Sequence, residues 1–197
     1  MKSLYYFIVK PLNNRYDNTR RVANTDLIIN TGIENHRFIS KKAVVVSTPA
    51  AYNTKISIGD ELYIHHNIFR RWYDQKGRER NSSTYFKDDL YFVSLEQIYM
   101  YNLKSHLNYC FIKPLKNQEF LNNRKEQPNV GIVRYTNKTL EALGITPGTL
   151  ITFTPDSEFE FIIDGERLYC MKSNDIALTH EYKGNEKENN PSWAESS

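Results

Sequence analysis

The stretch that decides the fold is FIVKPL at residues 7–12, because it recurs as CFIKPL at residues 110–115. Each copy is a run of apolar and β-branched residues, which is typical of a β-strand. Each run stops at a proline, which has no backbone N–H to donate to a sheet ladder and so favours a strand end or edge. The recurrence indicates that the chain contains one structural unit twice.

Three further blocks recur in the same order along the chain. They are AVVV at 43–46 with GIVR at 131–134, IGDELYI at 58–64 with PGTLITF at 147–153, and LYFVSLEQI at 90–98 with LYCMKSNDI at 168–176. The second pair predicts a glycine turn followed by a strand. The third predicts a strand that runs into a short helical turn, which Ser94 and Ser173 could cap. Four ordered repeats predict an all-β chain of two similar units.

The same blocks predict which side chains fill the two interiors. The predicted core positions of the first half and their counterparts in the second are Val9, Val45, Leu62 and Phe92, with Ile112, Val133, Ile151 and Cys170. In one pair of blocks, Leu62 with Ile64 and Ile151 with Phe153 follow the period of two that places side chains on one face of a strand.

The two halves differ in the loops between their blocks. Segments 13–41 and 65–89 of the first half are longer than their counterparts, 116–129 and 154–167. Because long loops on a rigid frame commonly carry function, we expect the binding site in the first half. The polar segment 184–197 is predicted to be a disordered tail.

Composition excludes several classes of function. Lys plus Arg number 26 and Asp plus Glu 23, so the net charge of +3 gives no global signal for binding polyanions. The two cysteines, Cys110 and Cys170, lack metal-type spacing and are expected to be free thiols. The apolar run from Leu4 to Val9 is too short to span a membrane, does not resemble a signal peptide and favours a first β-strand. A soluble cytoplasmic protein without a membrane partner is expected.

Catalytic motifs are missing from the sequence. It has no Ser-His-Asp spacing, no GxSxG elbow, no GxGxxG and no Walker A motif. His65 and His66 are adjacent on an extended segment and would point to opposite faces, which is poor geometry for a shared metal. We therefore expect neither an enzyme nor a cofactor or metal site.

The segment FRRWYDQKGRER at residues 69–80 is basic, with aromatic residues between the charges. This pattern can serve single-stranded nucleic acid through phosphate contacts and base stacking. The favoured interpretation is a solvated β-hairpin whose turn lies at residues 74–77. Its residues Arg70, Arg71, Trp72 and Tyr73 are then candidates for contacting a partner or a neighbouring subunit, and nucleic acid is the less favoured partner.

The ordered blocks resemble the GroES-like co-chaperonin family. Residues 7–11 (FIVKP) are similar to that family's first strand, residues 56–62 (ISIGDEL) to its V-x-x-G-D-x-V strand entry, and residues 163–177 (IDGERLYCMKSNDIA) to its closing segment. The resemblance implies two tandem GroES-like, partly open β-barrels. These would occupy residues 1–104, with a long mobile-type loop and an extended hairpin, and residues 105–183, with trimmed loops.

The resemblance also implies a function and a site. Leu27, Ile28 and Ile29 stand where the family carries an aliphatic tripeptide that docks on a chaperonin ring. The implied partner is a GroEL-type ring, and the implied assembly is a homo-oligomeric ring. The alternative is that the three residues form a buried strand, with Ile29 and Ile33 pointing inward. The alternative functions are a structural or assembly protein, and a single-stranded nucleic-acid binder.

Overall fold

Antiparallel strands make up most of the fold, and the all-β prediction is confirmed. The computed structural model describes residues 3–22, 25–28, 32, 35–117, 126–181, 184 and 186–195. The chain divides into two units, Met1–Asn102 and Leu103–Ser197. The sequence placed the boundary between residues 104 and 105.

In the first unit the strands follow the apolar blocks. They are β1 (Phe7–Pro11), β2 (Thr19–Val22), β3 (Thr25–Ile28), β4 (Lys42–Ser47), β5 (Glu61–Ile64), β6 (Arg71–Tyr73), β7 (Glu79–Asn81), β8 (Tyr85–Lys87), β9 (Leu90–Val93) and β10 (Ile98–Tyr101). Single 3-10 turns cover His36–Phe38, His66–Ile68 and Leu95–Gln97.

In the second unit the strands are longer and the loops are shorter. Its elements are β11 (Lys104–Ser105), β12 (Tyr109–Lys116), β13 (Glu126–Tyr135), α1 (Lys138–Ala142), β14 (Leu150–Phe153), β15 (Phe159–Ile163), β16 (Glu166–Lys172), a 3-10 turn (Ser173–Asp175), β17 (Ile176–His180) and α2 (Ser192–Glu195).

Apart from the two-residue strand β11, the strand order is the same in the two main sheets. It runs β10-β5-β4-β1-β9-β8 in the first and β17-β14-β13-β12-β16-β15 in the second. Over the described residues neither sheet closes on itself. Two small ribbons, β2-β3 and β6-β7, form sheets of their own. The long loops of the first unit therefore contain two hairpins that are not part of its main sheet.

Registers and turns also correspond. Val9 pairs with Val45, and Ile112 pairs with Val133, each next to a bulge at the preceding residue of β1 or β12. The N–H of Gly59 donates to the carbonyl of Val45 at 2.9 Å, and that of Gly148 donates to Val133 at 2.8 Å. Both glycines adopt a left-handed φ, +92° and +93°, which strongly favours glycine at these turns.

In the turns after β9 and β16, a side chain accepts the backbone N–H of the residue three positions before it. Gln97 Oε1 accepts the N–H of Ser94 at 2.9 Å, and Asp175 Oδ2 accepts that of Lys172 at 3.1 Å. Ser94 therefore precedes its turn as predicted. Ser173 does not cap the second turn, because it is the first residue within it.

The core prediction holds at seven positions and is wrong at one. Val9, Val45 and Leu62 are buried in the first unit, and all four counterparts are buried in the second. Phe92 is only half-buried, because it pairs with Ile8 and lies on the sheet face opposite Tyr91. Tyr91 takes the interior position instead, edge-on to Phe69 at 4.8 Å between ring centroids.

The C-terminal segment packs on the second sheet, so the predicted disorder is wrong for residues 186–195. The N–H of Lys116 donates to the carbonyl of Lys187 at 2.7 Å, and that of Asn189 donates to Pro114 at 2.8 Å. Farther along, α2 packs against β16, and Ala194 is fully buried. The segment is polar, yet its polar groups satisfy strand groups that would otherwise have no partner.

Lys113 shows why this segment is held. Its side chain is 2 % exposed, and its ammonium donates to Asn190 Oδ1 at 2.7 Å and lies 3.9 Å from Glu166. Burial lowers the pKa of Lys113, although the nearby Glu166 acts in the opposite direction. The Asn190 side chain also accepts the N–H of Arg167 at 3.0 Å and donates to the carbonyl of Gly165 at 3.1 Å.

Replacing Asn190 by alanine should destabilise the second unit by about 1–3 kcal/mol, because the Lys113 ammonium loses its shortest acceptor without regaining water. Urea unfolding followed by far-UV circular dichroism measures this. Asn174→Ala, at an exposed position of the same unit, is the control and should change stability by less than about 0.5 kcal/mol. Equal effects of the two variants would mean that the segment does not satisfy Lys113.

Candidate partner-binding surfaces

The β2-β3 ribbon carries two of the three residues predicted to dock. Leu27 pairs with Arg20 and Ile28 with Thr19 in the backbone ladder. The side chain of Leu27 is 49 % exposed and that of Ile28 is 64 % exposed. The alternative of a buried strand is therefore wrong for these two residues, while Ile29 and Ile33 lie outside the described residues. Docking through the triplet stays a prediction.

The exposure of Leu27 and Ile28 has a geometric cause. Successive side chains of a strand point to opposite faces, and the ribbon is not part of the main sheet. Both faces are open at this end of β3, so two aliphatic side chains meet solvent. Fully burying such a side chain against a partner stabilises the complex by about 1.5–3 kcal/mol.

The two ends of the loop that carries the ribbon are held together at the edge of the first unit. The N–H of Asp17 donates to the carbonyl of Phe38 at 2.8 Å, and that of Ser40 donates to Arg15 at 3.1 Å. Between them Tyr16 forms a β-bridge with Ile39, and both side chains are buried. The ribbon therefore lies in a loop whose two ends are paired with each other.

Three histidines cluster beside this base. The rings of His65 and His66 stack with centroids 4.5 Å apart, and His36 lies 5.7 Å from His66. The prediction that His65 and His66 point to opposite faces is wrong, because His66 begins a 3-10 turn that brings the rings together. Burial, with further contributions from His65, Lys41, His36 and Arg70, lowers the pKa of His66 to about 4. Burial and Lys41 also lower the pKa of His65.

The histidine cluster predicts acid sensitivity. The folded state disfavours the charged form of His66, so between about pH 6.5 and pH 4 the unfolded chain binds more protons than the folded chain. This contribution to stability is fully present above pH 6.5 and is lost as the pH falls towards 4. Allowing for solvent screening at a half-buried site, the loss should be on the order of 1 kcal/mol.

Urea midpoints measured between pH 7.5 and pH 4.5 test this prediction. His66→Gln should flatten the profile, because glutamine takes up no proton. His180→Gln, at an exposed position of β17, is the control and should leave the slope unchanged. A slope that persists in His66→Gln would assign the acid sensitivity to other groups.

The β6-β7 ribbon is the hairpin that the sequence predicted at residues 69–80. Trp72 pairs with Arg80 and Tyr73 with Glu79, and the N–H of Gly77 donates to the carbonyl of Asp74 at 2.8 Å to close the turn. Asp74 organises this turn. Its Oδ1 accepts the backbone N–H groups of Lys76 and Arg78, both at 2.9 Å.

The root of this hairpin is held by two residues that the sequence did not point to. Arg15 donates from Nε to the carbonyl of Phe69 at 2.6 Å and from Nη1 to Asn81 Oδ1 at 2.7 Å. The Tyr16 hydroxyl accepts the N–H of Arg71 at 2.9 Å, and the Arg71 guanidinium lies over the Tyr16 ring at 4.6 Å. No local signal could mark these contacts, because the partners are more than fifty residues apart.

Of the four hairpin residues predicted to contact a partner, three are exposed. Arg70, Trp72 (41 %) and Tyr73 (52 %) face solvent. Arg71 is half-buried and forms an ion pair with Glu79 at 3.0 Å. The β6-β7 ribbon and the ribbon that carries Leu27 and Ile28 are different sheets, so the two sets of residues lie on different elements.

An aromatic groove on the first unit had no counterpart among the predicted sites. Tyr5, Tyr6, Phe86 and Phe92 line it together with Leu4, and Phe92 lies 6.0 Å from Tyr6 and 5.1 Å from Phe86 between ring centroids. The sequence predicted one strand over residues 4–9, but β1 begins at Phe7 and the three preceding side chains are exposed.

The two cysteine thiols lie in the interior of the second unit. Cys110 and Cys170 are free and buried, and burial raises the pKa of Cys110 to about 12. Within the described ranges, no group of three or more His, Cys, Asp and Glu side chains could hold a metal ion. No helix in that part of the chain is long and apolar enough to cross a membrane.

Comparison with known proteins yields no match: no protein-family model matches the chain, and no curated protein does either.

Proposed function

We propose that this chain is a co-chaperonin-type binding protein, which docks on a GroEL-type chaperonin ring through the aliphatic end of β3. The observation that carries the proposal is the exposure of Leu27 and Ile28 on a ribbon in a loop whose two ends are paired with each other. Two exposed aliphatic side chains on such a ribbon contribute little to the core of their own unit. Their exposure favours a role in docking.

The correspondence between the two units supports a tandem GroES-like arrangement. Strand order, the bulge before Val9 and Ile112, and the turns at Gly59 and Gly148 all recur. A chain with two copies of one fold can specialise one copy for docking, and only the first half carries the aliphatic triplet in its sequence.

Weak docking by each loop suits an oligomeric binder. When one loop binds, the burial of two or three aliphatic side chains only partly offsets the entropy cost of ordering the loop. Several loops on a homo-oligomeric ring would bind together, and the effective concentration of each next loop would supply the avidity. ATP hydrolysis would belong to the chaperonin, so the proposed function requires no cofactor on this chain.

The test is co-sedimentation of the full chain with a GroEL-type ring, with and without ATP. The proposal expects a complex that depends on nucleotide and on ring integrity. A chain that assembles with itself but does not bind the ring in either condition would instead favour the structural or assembly function.

A further inference from the structure

The net charge of the chain is concentrated in one hairpin. Residues 69–81 contain five basic and two acidic side chains, which is a net charge of +3 and equals that of the whole chain. The remaining residues therefore carry as many acidic as basic side chains. The hairpin is thus a localised positive segment of a near-neutral protein, and such a segment attracts anionic partners.

One face of the hairpin combines an aromatic ring with two guanidiniums. Because Trp72 pairs directly with Arg80, the two side chains are cross-strand neighbours on the same face. Arg78 lies two residues before Arg80 and shares that face, about 7 Å along the strand. The side chains of Arg78 and Arg80 are 61 % and 47 % exposed.

Asp74 orients both guanidiniums. Its Oδ2 accepts from Arg78 Nε and from Arg80 Nε, each at 3.1 Å. In the part of the chain that the structure describes, the terminal nitrogens of these two side chains have no hydrogen-bond partner. Two planar donors are therefore held side by side, with the ends that suit phosphate oxygens unoccupied.

Trp72 is oriented in a similar way. Its indole N–H donates to the carbonyl of Asn81 at 3.3 Å, and the side chain is 41 % exposed. An indole whose polar atom is already bonded within the hairpin can offer its π-face to an unpaired base.

We propose that the Trp72 face of hairpin β6-β7 binds single-stranded nucleic acid, with Arg78 and Arg80 on backbone phosphates and Trp72 stacked on a base. An acidic protein surface would need the arginines but would gain no stacking from the indole. A duplex keeps its base faces covered, so it could use only the charges. The combination of an indole and two guanidiniums on one face therefore favours a single strand. This proposal does not depend on docking through β3.

Fluorescence of Trp72 tests the proposal directly. The chain has two tryptophans, so Trp193→Phe leaves Trp72 as the sole reporter. Titration with an oligothymidylate of about 16 nucleotides should quench this fluorescence, with an affinity that falls as salt rises. Trp72→Ala should weaken binding about tenfold when it is measured by fluorescence anisotropy of a labelled oligonucleotide.

The matched charge control separates the hairpin from general electrostatics. Arg78→Gln combined with Arg80→Gln should weaken binding at least tenfold and lower the salt slope by about 1.4, the value for two phosphate contacts on a single strand. Arg37→Gln with Lys138→Gln removes the same charge at exposed positions elsewhere and should change both quantities little. Thermal midpoints of all variants establish that each is folded.

Two outcomes would overturn the proposal. In the first, the hairpin variant (Arg78→Gln with Arg80→Gln) and the control variant (Arg37→Gln with Lys138→Gln) lower the affinity for the oligonucleotide equally. The other is polyglutamate of the same charge competing as well as the oligonucleotide, with no effect of Trp72→Ala, which would assign the face to acidic protein surfaces. Neither outcome bears on binding to the chaperonin ring.

Discussion

Replacing Ile28 by aspartate should abolish ATP-dependent binding to a chaperonin ring and leave the thermal midpoint within about 3 °C of the parent protein. Ile28 is 64 % exposed, so the new carboxylate meets water in the free chain and costs little stability. In the complex the same carboxylate would be desolvated against an apolar groove without a partner. Co-sedimentation with the ring and a thermal scan by circular dichroism measure the two quantities.

The control for this prediction is an aliphatic residue of the same type and exposure. Ile58 is 67 % exposed in the turn before β5, so Ile58→Asp places the same charge elsewhere on the same unit. Binding to the ring should survive in this variant. Loss of binding in both variants would indicate a general effect of charge, and retention in Ile28→Asp would remove β3 as the docking element.

Truncating one core residue in each unit should destabilise that unit by about 2–5 kcal/mol, since a buried aliphatic side chain replaced by alanine leaves a cavity. Leu62 in β5 and Ile151 in β14 are both 0 % exposed and occupy corresponding positions in the two sheets. Leu62→Ala and Ile151→Ala should therefore show losses of similar size. Urea unfolding, followed by far-UV circular dichroism, measures each loss.

Ile58→Ala is the matched control for the core truncations, because it removes the same kind of atoms from an exposed position. It should cost less than about 0.5 kcal/mol. If Leu62→Ala or Ile151→Ala cost as little as Ile58→Ala, the side chain in question would not face the core, and the strand register of that unit would be wrong.

Local sequence signals predicted the strands of the four repeated blocks and the turns between them, but not β2, β3 and β8, which lie in segments that were interpreted as loops. The glycines at 59, 77 and 148 adopt a left-handed φ that strongly favours glycine. Pro11 ends β1 as predicted, but the same prediction is wrong for Pro114, because β12 continues to Lys116. The basic segment was interpreted as a hairpin with its turn at 74–77, and this turn is present. Such features depend on neighbours within a few residues, which a single sequence displays directly.

The sequence could not predict in the same way which side chains of a continuous apolar run point into the core. In LYFV at residues 90–93 every side chain is apolar, so a period of two does not say which pair points inward. Only pairing with β1 assigns Tyr91 to the core and Phe92 to the opposite face. The corresponding Cys170 is buried even so, because burial also depends on what covers the second face of a sheet.

The sequence by itself therefore determined the β class, the order of the repeated strand-forming blocks and the turns between them. All of these follow from local propensity and repetition. Only the tertiary structure decided what depends on distant partners. Arg15 and Tyr16 hold a hairpin more than fifty residues away, and Asn190 binds Lys113 across 77 residues of chain. The polar C-terminal segment looked disordered because its own composition cannot form a core. It is ordered because a buried ammonium and open strand ends on the second sheet need the hydrogen bonds that its asparagines and backbone supply.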